Sequence, residues 1–321
     1  MSVAVCRWVL TAIFVFGGMS IGGTLRAQNE PQISMYWAVP TVYNPASGGQ
    51  DSSMHIAAFD RMQWVGVENA PRTFFFGADM PFKFLRREHA AGLLLTNDEA
   101  GLFSTTTFGV QYAYKMPLWG GQLAVGVQGG AVNQSFAGGD VYIPDGDAWD
   151  PSADAIPSGN VSAMAFDCAA GIYYTHGLVY GGISAQHLTA ATLELDEYAY
   201  SQLERIYYFQ LGCNIPIKRT LFILQPSVLV KTQLQSTQTD YTLRFTYDHR
   251  LWGGLTYRHG DAVVVQAGVD LKNIRLGYAY DIGTSALAKV SGGSHEIVAT
   301  YTLKLDMGKK EKHKHKSIRI L

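Results

Sequence analysis

Polar and apolar residues take turns along the segment from Ser294 to Asp306. Glu296, Thr300, Thr302, Lys304 and Asp306 fall on one side and Ile297, Ala299, Tyr301, Leu303 and Leu305 on the other. A period of two is that of a β-strand with one wet face and one greasy face, suited to a wall between lipid and water. The pattern recurs upstream. Phe108, Val110, Tyr112, Tyr114 and Met116 alternate with Gly109, Gln111, Ala113 and Lys115; Leu123, Val125 and Val127 alternate with Ala124, Gly126 and Gln128. The segments 207–215, 222–231, 241–248 and 274–281 repeat it, with weaker alternation near 53–61, 73–81, 89–96, 161–175, 178–188, 251–258 and 262–271. Together they predict an all-β chain: an antiparallel transmembrane β-barrel of about 14 strands, of the outer-membrane type.

Connections fit this scheme. Pro117 to Gly121, His176-Gly177, Pro216 to Thr220, Asp248 to Arg250 and Lys272-Asn273 are short, whereas Ala137 to Asn160, Thr189 to Gln202 and Thr284 to Gly293 are long. Short turns belong in the periplasm and long loops outside the cell. Trp119, Trp252 and Tyr278 lie near strand ends, as an interfacial aromatic belt requires. A soluble β-sandwich also alternates, but it puts its apolar parity inside. Here the apolar sets are continuous and aromatic, and the opposite parity is rich in Gly, Thr, Gln and charge, which favours the barrel.

Composition agrees: only 16% of the 321 residues are charged, 12% are aromatic, and mean hydropathy is near zero. A net charge of -1 argues against a nucleic-acid partner. Arg7, the apolar run Trp8 to Phe16 and the small residue Ala27 predict a signal peptide over 1–27. Residues 28–52, with Asn-Pro and Gly-Gly turn signals, predict an irregular periplasmic or plug-like lead. The barrel is then placed at 53–307 and a basic periplasmic tail at 308–321. Cys168 and Cys213 fall on the apolar parity and read as small hydrophobes; two cysteines alone do not fix a disulfide.

Candidate chemistry is sparse. Ser294, His295 and Glu296 have a catalytic composition, but neighbours on a strand point to opposite faces, so Ser294 and His295 form no nucleophile–base pair. Asp140, Asp145, Asp147, Asp150 and Asp154 lack calcium-loop spacing, and His313 with His315 lacks the ligand count of a metal site. No catalytic residue, cofactor or metal is assigned.

Several phrases in order resemble the PorP/SprF family of the Bacteroidota type IX secretion and gliding machinery. They are Gln32-Ile33-Ser34-Met35-Tyr36, Tyr43-Asn44-Pro45-Ala46, Arg61-Met62-Gln63-Trp64-Val65-Gly66, Ala70-Pro71-Arg72-Thr73, Gly277-Tyr278-Ala279-Tyr280-Asp281 and Gly293-Ser294-His295-Glu296-Ile297. The resemblance implies a non-enzymatic outer-membrane barrel that scaffolds or anchors the machine and supports export or surface display of cargo. It implies periplasmic and peptidoglycan-linked secretion components as partners, beside outer-membrane lipid and secreted cargo. The motif residues Asn44, Pro45, Arg61, Gln63, Trp64, Asp281, Ser294, His295 and Glu296 are then structural or interaction positions. Arg61, Gln63 and Trp64 end the first strand, where Trp64 anchors the interface and the polar pair caps a loop; Asn44-Pro45-Ala46 sets a turn; Asp281 pairs in the lumen with Arg244, Arg258 or Arg275. The alternative function is an outer-membrane transporter or porin for small or apolar solutes.

Overall fold

Apolar side chains on alternate positions face outward all around a closed sheet, while the inward positions mix polar and charged groups with an apolar cluster that includes Phe59, Phe75, Val264 and Val298. The computed structural model describes residues 31–140, 157, 159–196, 199–285 and 290–305. The expected signal peptide over 1–27, the expected basic tail over 308–321 and the acidic stretch 145–154 lie outside these residues. The strands are β1 (Ser53–Met62), β2 (Arg72–Phe84), β3 (Arg87–Ala100), β4 (Phe103–Leu118), β5 (Gly121–Ala137), β6 (Asn160–His176), β7 (Val179–Gln186), β8 (Thr192–Glu194), β9 (Tyr200–Gln202), β10 (Ile206–Cys213), β11 (Ile215–Pro216), β12 (Phe222–Thr232), β13 (Thr237–Tyr247), β14 (Leu251–Arg258), β15 (Ala262–Leu271), β16 (Ile274–Gly283) and β17 (Ser294–Lys304). β8 and β9 form a separate small hairpin in the loop after β7. β11 prolongs β10 past Asn214, and both pair with β12, so the wall has fourteen staves.

Every stave pairs antiparallel with its sequence neighbour. The ring closes where β1 meets β17, from Ser53 opposite Lys304 to Met62 opposite His295. Closure removes the edges that an open sheet would leave, and satisfies backbone groups internally as a bilayer demands. The outward set includes Phe74, Phe76, Phe108, Val110, Tyr112, Leu255, Tyr257, Ile297 and Tyr301, all exposed, while Gln111, Lys115, Gln210, Thr242, Thr256, Gln266, Asp281 and Glu296 are buried within. That arrangement inverts a soluble sandwich. Both cysteines are free; Cys168 is half-buried on the outward parity of β6 and Cys213 is fully buried near a turn.

Trp252 departs from the expected belt. It shares its parity with Thr256 and Arg258, and is buried in the lumen. Opposite it in register stand Gly268, then Gly277 on the next strand, and a Cβ on either would strike the indole within 3 Å. These glycines make a slot that accepts the ring. Trp119, in contrast, is exposed at a short turn, and Tyr278 is exposed on the outer face.

Candidate functional site

The lumen is occupied by residues 31–52. Ile33, Met35, Tyr36, Val39, Tyr43 and Ala46 are all buried there, and three short 3-10 turns, Tyr36–Ala38, Pro40–Val42 and Pro45–Ser47, fold the segment on itself. It begins beside Arg258 and Asp281, at the long-loop end, and descends to Ser53 at the short-turn end.

A buried ionic cluster holds its upper part. Arg61 Nη2 donates to Asp281 Oδ2 at 2.7 Å and Nη1 to Glu296 Oε2 at 3.2 Å. Arg258 Nη1 donates to the same Asp281 oxygen at 2.8 Å, and its Nε lies 3.3 Å from the Asp240 carboxylate. All five strands, β1, β13, β14, β16 and β17, present these groups on the lumenal parity, so alternation alone brings them inward. Ser34 sits at the centre. Its Oγ donates to Asp281 and accepts from Arg61 and Arg258, while the backbone N–H groups of Ser34 and Met35 donate to the two oxygens of Glu296 at 2.7 and 2.8 Å. Isolated buried charges are costly; ion pairing and the two backbone donors on Glu296 make this cluster tenable, with Arg61 Nε left as its one buried polar atom without a partner among the described residues.

Further down, each contact comes from a different part of the wall. The Tyr36 hydroxyl lies 2.8 Å from Ser227 Oγ, and Trp37 Nε1 donates to Gln266 Oε1 at 2.9 Å. Trp37 also meets Trp252 edge to face at 4.8 Å, and the Arg244 guanidinium lies 3.4 Å from its ring centre. On the opposite side, Asn44 Nδ2 donates to the carbonyls of Ile172 at 3.0 Å and Ile183 at 3.2 Å, while its Oδ1 caps the last turn by accepting from Ala46 N at 2.9 Å. The wall is hollowed to admit this turn: a Cβ at Gly126 would lie 2.3 Å from Ala46 N, and one at Gly171 2.2 Å from Asn44 Oδ1. Near the exit, buried Lys115 donates to the carbonyl of Gly49, whose N–H donates to Asp79.

The structure thus gathers Arg61, Asp281 and Glu296 into one site. Ser294 adjoins it, its Oγ accepting from Trp64 N at 3.1 Å, and Gln63 is buried beside it. Asn44 and Pro45 lie apart, against β5, β6 and β7. His295 is on the outer face, with Nδ1 2.7 Å from the Tyr278 hydroxyl, so Ser294 and His295 do face opposite ways. Arg61 is no loop cap: it is 1% exposed and forms the middle of the cluster. Of the three arginines expected to meet Asp281, Arg258 does so; Arg275 pairs with Asp270, and Arg244 stacks on Trp37. The arginine that the sequence reading left without this role is Arg61. Its lumenal parity, shared with Phe59 and Ala57, was the available signal.

Two recesses flank the filled lumen. One of about 100 Å³ opens at the long-loop end between β3, β4, β5 and the loop after β7. Another of about 390 Å³ opens at the short-turn end, lined by Trp37, His55, Phe75, Asp79, Arg275 and Thr300 among others, and the two share no lining residue. Among the described residues, no group of three His, Cys, Asp or Glu side chains is placed to hold a metal ion.

A closed antiparallel barrel with a continuous apolar exterior and its charged groups held within is an outer-membrane β-barrel. The chain belongs to the PorP/SprF family: the model described as type IX secretion system membrane protein PorP/SprF matches residues 25–301. No curated protein matches the chain. Among solved structures it is similar to the CymD monoaromatic hydrocarbon channel (TM-score 0.48, 12% identity, covering 89% of this chain and 95% of that one). It is also similar to the TodX deltaS2S3 mutant monoaromatic hydrocarbon channel (TM-score 0.46, 10% identity, 82% and 94%) and to the outer membrane protein Omp33 of Acinetobacter baumannii (TM-score 0.45, 6% identity, 78% and 97%).

Proposed function

We propose that this barrel is a non-enzymatic, plugged platform of the type IX secretion machine, anchoring periplasmic and peptidoglycan-linked components and supporting export or surface display of cargo. The observation that carries the reading is the filled lumen. A conduit for small solutes needs an interior that empties, whereas here residues 31–52 are tied to strands around the wall by buried hydrogen bonds, several of them to charged side chains. A barrel so filled acts through its surfaces: the short turns and chain end toward the periplasm, the long loops toward cargo. Ser294 and His295, divided between two faces, support the absence of catalysis.

The test is affinity purification of the tagged, full-length barrel from detergent-solubilised cells, with secretion assayed in a deletion strain. Secretion components retained on the barrel and cargo lost from the surface on deletion are the expected outcome. Normal secretion with no retained component sinks the proposal, as does steady solute uptake through the intact barrel reconstituted in vesicles.

A further inference from the structure

Charge is divided between the two ends of the barrel. In the described parts of the long-loop end, Glu68, Glu194, Asp196, Glu204 and Asp261 stand against a single loop arginine, Arg205. In the short turns the balance reverses: Arg86, Lys218, Arg219, Arg250 and Lys272 stand against Asp248. Exposed Lys83, Arg87 and Lys304 extend the basic rim along the ends of β2, β3 and β17. The acids at this end are largely committed within the protein. Asp270 binds Arg275, Asp51 contacts His55, Glu88 accepts from Gln122, and Asp248 lies 3.6 Å from Arg250. Arg86, Arg87, Lys218, Arg219 and Lys272 have no such partner among the described residues.

Apolar side chains stand directly beside these bases. Leu85, next to Arg86, is 78% exposed; Ile217 and Leu221 bracket Lys218 and Arg219; Leu271 precedes Lys272; and Trp119, 85% exposed, occupies the turn between β4 and β5. An apolar group that enters the hydrocarbon boundary beside a cation that reaches the headgroups is the composition of a membrane interface.

We propose that the short-turn rim is a binding surface for anionic phospholipid headgroups in the leaflet at that end. The placement of the bases favours lipid over an acidic protein. They come from the turns β2–β3, β10–β12, β13–β14 and β15–β16 and from the end of β17, and so surround most of the perimeter, where a protein docking on one side would need them gathered. Lipid alone contacts a barrel all the way round. Cations near a headgroup layer attract anionic lipid, and the attraction is screened by salt. Headgroup binding at this rim is independent of any role in secretion.

The experiment reconstitutes the full-length chain in phosphatidylcholine bilayers doped with spin-labelled phosphatidylglycerol or spin-labelled phosphatidylcholine, and reads the immobilised fraction of each. Preference for phosphatidylglycerol of roughly fivefold in low salt, the effect of one favourable surface charge, is expected. It falls toward parity in high salt and in the variant R86Q/R87Q/K218Q/R219Q, while E68Q/E194Q/E204Q at the other end keeps it. All these positions are exposed, and heat-modifiability on gels verifies the barrel in each variant. Equal immobilisation of the two lipids by the wild type overturns the proposal, as does a preference unchanged by the quadruple substitution or lost equally in the acidic-loop variant. Retention of an acidic protein on the rim without lipid preference also overturns it.

Discussion

Arg61 joins two strands and the lead through a single buried side chain. It neutralises Asp281 and Glu296 at once, and both carboxylates are buried. Removing one partner of a buried pair leaves an uncompensated charge, which typically costs about 3–5 kcal/mol. Arg61→Ala is therefore expected to lower the unfolding free energy of the lipid-reconstituted barrel by about that amount, read from urea unfolding curves. The double variant with Asp281→Asn should recover part of the loss, because the two residues share one network. The cysteines offer a second check at this scale. A bulky thiol reagent should modify half-buried Cys168 in the folded, detergent-solubilised barrel and reach fully buried Cys213 only after denaturation, as peptide mass mapping would show.

Among the elements, the turn Pro45–Ser47 depends on a wall shaped to receive it. Gly126→Val would drive side-chain atoms into the Ala46 backbone, and Asn44→Ala would strip two strand carbonyls of their donor. Each is expected to loosen the lead while the staves persist, so limited proteolysis should cut near residues 40–50 in the variants and spare the wild type. The staves themselves were legible in the sequence. Clear alternation marked β4, β5, β10, β12, β13, β16 and β17, and weaker alternation the rest, because lipid on one face and the lumen on the other impose different demands on successive residues. Parity also held the placement of Trp252: Leu251, Leu255 and Tyr257 point out, so Trp252 points in. A place near a strand end suits an aromatic belt only on the outward parity, and Trp252 has the other. The ionic cluster was only half visible. Alternation tells which face a charge takes, but the meeting of Ser34 with Glu296 joins residues 262 positions apart, and no local pattern encodes it.

Taken whole, the molecule is a cylinder stoppered by its own beginning. Deleting residues 31–49 removes the ligands of the cluster and the contents of the lumen together. The shortened barrel is expected to conduct ions in planar bilayers, whereas the full chain stays silent. Steady conductance by the full chain at a level matching the deletion would show that the lead does not seal. The charge division between the ends is likewise a property of the whole ring, assembled from turns that are far apart in sequence.

The path of the lead also imposes an order on assembly. Residues 32–35 leave the ribosome and cross into the periplasm early, yet Arg258, Asp281 and Glu296, which hold them, arrive last. Contacts of such long sequence separation form late, after the loop between them has been closed. Until β17 meets β1, the first segment has no complete socket, and the socket has unmatched charges. The last strand thus supplies both the seam and the carboxylate that grips the lead, and a chain truncated before it lacks both the seam and the lock.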